Sequence, residues 1–404
     1  MTKKIINNAS WLIAGEAISG FFIFILNLIA ARMLGIDEFG KFSYAISVIF
    51  LLGALVDFGL VQIFIRDLSR DSKLEEKYFF SSIYIRIFAV FALMGIFLVF
   101  EHFKSSGIPF YLFLILLVYL LINSINELLR AILKAREWMK AEAVLKIFER
   151  FILLVFGCLA ITIWRKYDFL ILAYLATSLL LVVILYRKIF SGRKIKKSVT
   201  ISDSTRLIKR GWAIGLGGAF VTIYASADLI LIKNILNSDS LTAIYAASYK
   251  FLSLAITLIS LISIAYMPQL AKMKDNKKYT RLIRNYLLST FFASLLLFSA
   301  ILFFSSFIMN IIYGNSYIAG ANVLIILAIS LLFIGAREPF TYLLILHDRQ
   351  KYYMASVLSA AIFNIVTNIY VIPSFGIIGA AWVTVGSEAL LLILTMYFYF
   401  LKEV

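Results

Sequence analysis

Apolar runs of roughly 20 residues or more, free of charge clusters, recur along the whole chain. A helix rises about 1.5 Å per residue and the hydrocarbon layer is about 30 Å thick, so each run is long enough to cross a bilayer. Transmembrane strands do not fit, because they are about 10 residues of strict alternation. We therefore predict twelve transmembrane helices, at residues 10–32, 40–66, 79–100, 108–131, 141–163, 168–190, 210–235, 241–267, 283–305, 318–346, 352–373 and 377–401.

The composition agrees with this pattern. Of the 404 residues, 62% are hydrophobic and only 15% are charged, and the mean hydropathy is +0.95. A soluble fold of this length has too little interior to hide so much apolar surface. The sequence thus predicts an all-α membrane protein.

Basic residues are distributed unevenly between alternate connections. If the N-terminus is inside, the inner connections and tails hold 28 Lys and Arg, and the outer connections hold 6. Cytoplasmic loops carry the excess of Lys and Arg, so we expect a multi-pass protein of the cell membrane with both termini in the cytoplasm. Anionic lipid headgroups account for the net charge of +17 without nucleic acid.

The second half of the chain faintly repeats the first. A shift of 201 residues places Trp11 on Trp212 and Tyr44 on Tyr245. Because each half has six spans, both halves enter the membrane from the same side, which predicts a pseudo-two-fold axis along the membrane normal. We expect two six-helix lobes, at 1–200 and 201–404, that enclose a cavity.

Several segments carry a family resemblance. They read NNASWLIAGEAISGFF, AARMLGIDEFGKFSYAISVIF and DFGLVQIFIRDLSR near the start, and YMPQLAKM and IIYGNSYIAGANVLIILA later. A last one runs from HDRQKYYMASVLSAAIFN to FGIIGAAWVTVGSE. Together they resemble the polysaccharide-export branch, with its O-antigen flippases, of the multidrug/oligosaccharidyl-lipid/polysaccharide flippase superfamily.

The resemblance implies a V-shaped pair of lobes that alternates between inward-open and outward-open states. It also implies a flippase that moves a polyprenyl-diphosphate-linked oligosaccharide from the cytoplasmic to the outer leaflet. Some relatives carry two further C-terminal helices, and twelve spans argue against a lipid-II-type flippase. The expected partners are the lipid-linked oligosaccharide, membrane lipids and glycan-assembly enzymes, and a monomer suffices for a transport path.

Charged residues inside the predicted spans are the candidate site residues, because a charge at a helix centre costs about 2.5–3.5 kcal/mol on insertion scales. A diphosphate is an anion of at least two charges, for which Arg and Lys are suitable donors. On the eighth span, Lys250 begins a polar stripe with three hydroxyl residues at helical spacing. The predicted substrate-binding residues are Arg86, Arg150, Lys250, Arg337, Ser253 and Thr257.

Carboxylates in the spans suit ion coupling, since a buried carboxylate can exchange a proton or bind Na⁺. The predicted coupling residues are Glu16, Asp57, Asp228 and Glu388. The alternative role for each charge is a structural ion pair with another span. The sequence leaves both roles open for Arg86 with Asp57.

Two other functions are weighed against the flippase. A cation-coupled multidrug or metabolite exporter of the same superfamily predicts a cavity of carboxylates without competing Arg, whereas this chain mixes both signs. A membrane glycan polymerase or ligase needs a catalytic loop or cavity on the outer side, where the predicted connections are short. We find no nucleophile motif, nucleotide loop or metal-ligand cluster, and predict neither catalysis nor a cofactor beyond a coupling H⁺ or Na⁺.

Overall fold

The structure, a computed structural model, describes residues 2–69, 71, 74–103, 107–191, 201–272 and 276–401. Every regular element within these ranges is helical. The first seven helices are α1 (Thr2–Met33), α2 (Ile36–Asp57), α3 (Leu60–Leu68), α4 (Glu75–Phe103), α5 (Phe110–Ala135), α6 (Met139–Trp164) and α7 (Tyr167–Phe190). The next five are α8 (Ile201–Leu236), α9 (Asp239–Lys272), α10 (Asn276–Phe307), α11 (Gly320–Leu346) and α12 (Gln350–Phe400).

Ten helices in the described part of the chain are long and apolar enough to cross a membrane. One of them is α12, which contains both of the last two predicted spans. These spans are separated at Gly376, whose φ of 57° and ψ of −144° are not helical. The predicted span 141–163 lies in α6, which is not one of these ten helices. The all-α membrane class is confirmed.

The predicted span 40–66 is wrong at its second end. Helix α2 ends at Asp57, and the chain then passes through Phe58 and Gly59 at φ 44° and 74° before α3 begins. Positive φ at two successive residues breaks the helical hydrogen-bond ladder, and Gly59 adopts it without a Cβ clash. Helix α3 is short and amphipathic, and it buries Leu60, Ile63 and Phe64.

Contacts between Cα atoms divide the chain into two units. The first unit contains residues 1–38 and 45–222, and the second contains 39–44 and 223–404. The division thus falls within α8, whereas residue 200 lies outside the described residues. The lobe boundary at 200 and 201 stays a prediction.

Each unit is a helical bundle. In the first unit, α1 packs on α6, and α7 packs on both α5 and α6. In the second unit, α11 packs on α9, α10 and α12. Gly335 allows the close approach of α11 to α10, because a Cβ there would lie 2.2 Å from Ser294 Oγ and 2.8 Å from the Thr290 carbonyl oxygen.

Candidate functional site

Arg86 and Asp57, both predicted site residues, form an ion pair in the first unit. The Arg86 side chain is completely buried, whereas that of Asp57 is 35% exposed. Arg86 Nη1 also donates to the Ser124 carbonyl oxygen at 2.5 Å. The pair links the end of α2 to α4 and α5, so Nη1 and Nη2 of the guanidinium are already engaged by protein groups, whereas Nε has no hydrogen-bond partner among the described residues.

Glu16 on α1 is paired with Lys146 on α6. The Glu16 side chain is 54% exposed and that of Lys146 is 19% exposed. Lys146 is a partner that the sequence analysis missed, although it lies in the predicted span 141–163. The carboxylate that was predicted to couple ions therefore has its own cation.

A four-residue network joins α5 to α6. Arg130 contacts Glu149 directly and lies 3.7 Å from Glu142, and Lys134 lies 3.6 Å from the same Glu142 oxygen. Arg130 and both carboxylates are buried. Two positive and two negative charges neutralise each other here, so the network is structural.

Arg150, the neighbour of Glu149, behaves differently. Among the residues that the structure describes, Arg150 has no ion-pair partner. It is half-buried and lies within electrostatic range of Tyr119 and Tyr174, whose rings pack edge to face at 5.8 Å. Arg150 is thus the predicted basic residue of the first unit that remains able to bind an anion.

In the second unit, two predicted site residues meet each other. Arg337 Nε donates to Glu388 Oε2 at 2.9 Å, and Tyr224 donates to Glu388 Oε1, also at 2.9 Å. The adjacent carboxylate Glu338 lies 4.0 Å from Arg337 Nη1. Residues that we assigned separately to headgroup binding and to coupling therefore form one ion pair.

Asp228, by contrast, is surrounded by neutral donors. Tyr245 donates to Oδ2 at 2.5 Å, Thr384 to Oδ2 at 2.7 Å, and Asn368 to Oδ1 at 2.8 Å. Asp228 is buried, and the described residues provide it with no Lys or Arg partner. The sequence analysis missed the three donors. Asn364 and Asn368, four residues apart in an apolar span, were the available signal.

Lys250 also has no ion-pair partner in the described part of the chain. It is half-buried on α9. Two hydroxyls follow it on the same face, where Ser253 donates to the Lys250 carbonyl oxygen at 2.9 Å and Thr257 to that of Ser253 at 2.8 Å. Since each hydroxyl has one proton, only their oxygen lone pairs remain to accept hydrogen bonds from a ligand.

No group of three or more His, Cys, Asp and Glu side chains within the described ranges could hold a metal ion. The oxygen atoms around Asp228 belong instead to one carboxylate, two hydroxyls and an amide. Such a set suits a proton or a hard cation such as Na⁺. The predicted absence of a metal and of a cofactor stays a prediction.

Three comparisons with known proteins bear on this fold. The chain is similar over 95% of its length to the lipid II flippase MurJ in an inward closed conformation, at 16% identity and a TM-score of 0.82, covering 86% of that chain. An inward-facing multidrug resistance transporter of the MATE family gives 13% identity and a TM-score of 0.70, over 96% of this chain and 97% of that one.

A transporter of the MOP superfamily from Pyrococcus furiosus gives 13% identity and a TM-score of 0.65, over 98% of this chain and 94% of that one. No curated protein sequence matches the chain. The family model described as polysaccharide biosynthesis protein matches residues 5–274, about two thirds of the chain. The chain therefore belongs to the polysaccharide biosynthesis protein family, and it has the fold of the multidrug/oligosaccharidyl-lipid/polysaccharide flippase superfamily.

Proposed function

We propose that this protein translocates a polyprenyl-diphosphate-linked oligosaccharide from the cytoplasmic to the outer leaflet by alternating access. The observation that carries the proposal is that each unit retains one in-span basic residue without an ion-pair partner among the described residues, Arg150 and Lys250. An unpaired cation in a membrane span is expensive unless a substrate anion or water meets it. The family supplies the glycan context.

Of the four basic residues predicted to bind the headgroup, Arg150 and Lys250 are now the stronger candidates. The guanidinium groups of Arg86 and Arg337 are each engaged by a carboxylate. Ser253 and Thr257 are better suited to accept hydrogen bonds from sugar hydroxyls than to donate to phosphate oxygens, because their protons are directed to their own helix.

Asp228 is the strongest of the four proposed coupling residues. The other three each have a cationic partner: Glu16, Asp57 and Glu388. A carboxylate without such a partner needs an exchangeable proton or cation to compensate its charge. A proton or cation bound at Asp228 would act on α8, on α9 and on both halves of α12, because side chains of α9 and of both halves of α12 contact this residue of α8.

The second candidate function is a cation-coupled exporter of the same superfamily. The buried Asp228 favours it, since a carboxylate without a Lys or Arg partner in the described residues is also suited to a cationic substrate. The two unpaired basic residues oppose it, because they would repel such a substrate. Membrane glycan polymerisation has no support from any side-chain arrangement in the described residues.

The proposal is tested in cells in which the gene is deleted and then supplied as variants. Lipid-linked oligosaccharides are measured by mass spectrometry, and their leaflet is assigned with a membrane-impermeant label. We expect the deletion to accumulate a glycan-lipid in the cytoplasmic leaflet. Lys250→Gln and Arg150→Gln should each slow its export by roughly tenfold or more, since hydrogen bonds to charged groups contribute about 1.5–3 kcal/mol.

Lys146→Gln is the matched control, because Lys146 is already paired with Glu16. It should export glycan at the normal rate. An unchanged glycan-lipid pool and sidedness in the deletion, in cells without a redundant flippase, would favour the cation exporter. Labelling of single cysteines introduced in the connections would test the proposed location of both termini in the cytoplasm.

A further inference from the structure

Arg337, Glu338 and Glu388 form a buried group with two carboxyls and one guanidinium. The exposed fractions of the three side chains are 12%, 8% and 6%. If all three were ionised, the group would carry one uncompensated negative charge inside a membrane-length bundle. Such a charge is expensive in a medium of low dielectric constant, and buried groups usually change protonation state to avoid it.

The guanidinium serves only one of the two carboxyls. Glu388 accepts hydrogen bonds of 2.9 Å from both Arg337 Nε and the Tyr224 hydroxyl. Glu338 is 4.0 Å from the nearest Arg337 nitrogen, which is too far for a hydrogen bond. Glu388 is therefore the carboxyl that the surroundings stabilise as an anion, and Glu338 is not.

The contacts of Ser260 also indicate that Glu338 is not stabilised as an anion. Its Oγ lies 3.0 Å from the Ile256 carbonyl oxygen and 3.1 Å from Glu338 Oε1. A hydroxyl has a single proton, so it cannot donate to both oxygens. If Glu338 carries a proton, Ser260 donates to its own helix and accepts from the carboxyl, so both of its contacts become hydrogen bonds.

The remaining polar groups near Glu338 are neutral. Tyr286 on α10, Tyr342 on α11 and Tyr353 on α12 are within electrostatic range of it. None of them supplies a positive charge, and Arg337 is the one cation that acts on Glu338 among the described residues. Asp228 differs, because Tyr245 and Asn368 both donate to its carboxylate and can stabilise its charge.

We propose that Glu338 is a proton-binding site that is occupied in this state, so that the group of Arg337, Glu338 and Glu388 is electroneutral. On release, the O–H bond of the Glu338 carboxyl breaks and water takes the proton, leaving two carboxylates to share one guanidinium. Ser260, which contacts Glu338, lies on the same helix as Lys250, Ser253 and Thr257 and continues their polar stripe. The inference goes beyond the proposed function and does not depend on the identity of the cargo.

The test is infrared spectroscopy of the purified full-length protein in lipid nanodiscs at neutral pH, reading the carbonyl stretch of protonated carboxyl groups. All variants carry Asp228→Asn, which removes any contribution from that residue. Glu338→Gln should lose one carboxyl equivalent of the band. Glu388→Gln should lose the same equivalent, because Arg337 is then free to pair with Glu338. Arg337→Gln should gain one, because both carboxyls then bind protons.

Glu16→Gln is the control, since Glu16 is half-exposed and paired with Lys146. It should leave the band unchanged. An unchanged band in Glu338→Gln would overturn the proposal, and a band that survives in Glu388→Gln would contradict the sharing of Arg337. Thermal unfolding identifies any variant that fails to fold. If Arg337→Gln fails to fold, the near-isosteric Glu338→Gln still decides whether Glu338 carries a proton. Because the readout needs no substrate, its failure is distinguishable from failure of the flippase proposal.

Discussion

Both units contain ion-paired carboxylates, but the second unit also has a buried carboxylate, Asp228, without a Lys or Arg partner among the described residues. In the first unit, Glu149 and Asp57 are neutralised by Arg130 and Arg86. In the second unit, Asp228 is surrounded by two hydroxyls and an amide. An ion pair within the protein has a fixed charge and resists change, whereas a carboxylate held by neutral donors can exchange a proton or a cation. The first unit is thus suited to be a rigid framework, and the second to respond to ions.

Arg130→Met should cause the largest effect. It leaves Glu149 buried without its cation, while Glu142 retains Lys134 at 3.6 Å. Removing one partner of a buried pair costs about 3–5 kcal/mol. We expect that loss in the free energy of unfolding of the purified protein, measured by denaturant titration.

The double variant Arg130→Met with Glu149→Gln should recover part of that stability, because no stranded charge remains. Lys146→Gln should change the free energy of unfolding by no more than about 0.5 kcal/mol, since its partner Glu16 is exposed to solvent. Equal stability losses for Arg130→Met and Lys146→Gln would remove the distinction between a structural network and an accessible pair.

The same Asp→Asn substitution should lower the stability of the fold in the first unit but not in the second. Asp57→Asn removes the ion-pair partner of the fully buried Arg86 and should destabilise the fold by about 1–3 kcal/mol. Asp228→Asn removes a charge but keeps hydrogen bonds, because the amide of Asn368 can rotate so that its oxygen, which has no partner, accepts one. Stability should then be nearly unchanged.

Transport should respond in the reverse order. Coupling free energies are typically about 1–3 kcal/mol, so Asp228→Asn should reduce ion-dependent glycan export by roughly 5- to 150-fold. Asp57→Asn should reduce export only as far as it lowers the amount of folded protein. Glycan export and the free energy of unfolding are measured on the same two variants. A stability loss in Asp228→Asn with normal export would refute the coupling role of Asp228.

Much of the fold could be predicted from the sequence, because apolar length alone identifies a span. The helix break at Phe58 and Gly59 could not, since both lie in an apolar run that continues into α3. Its signal was the change to the one-sided pattern of Leu60, Ile63 and Phe64, which Gln62 interrupts and Arg66 and Asp67 follow.

The site was predictable in its residue types but not in its pairings. Arg86 and Arg337 are charged residues in spans, and the sequence could not tell whether each binds a substrate or a neighbouring helix. The partners are distant along the chain: Asp228 meets Asn368 and Thr384, which are 140 and 156 residues away. Such contacts depend on which helices pack together, and local patterns of apolar and polar residues do not show that.

Helix breaks offer a smaller test of the two units. Gly59 has the left-handed φ of 74° and ψ of 8°, so Gly59→Ala should cost about 1 kcal/mol. Gly376, at φ 57° and ψ −144°, is in a region that side chains rarely adopt, so Gly376→Ala should cost about 2 kcal/mol. Gly376 also separates Asn368 from Thr384, and its substitution should weaken ion-dependent export as well. Equal effects of the two substitutions on export would show that the helix break at Gly376 has no particular influence on the site at Asp228.

The smallest expected effect comes from a single hydroxyl. Thr257 on α9 is exposed, and Thr177 on α7 is buried; each donates 2.8 Å to the carbonyl oxygen four residues earlier. Both Thr→Val variants lose that bond, and neither should change stability by more than about 1 kcal/mol. Only Thr257→Val also removes an acceptor that a sugar hydroxyl can reach. We expect it to slow glycan export by about threefold, equivalent to about 0.6 kcal/mol, while Thr177→Val exports normally. If both variants slowed export equally, the hydroxyl groups would act through helix packing, and Thr257 would not be a contact for the sugar.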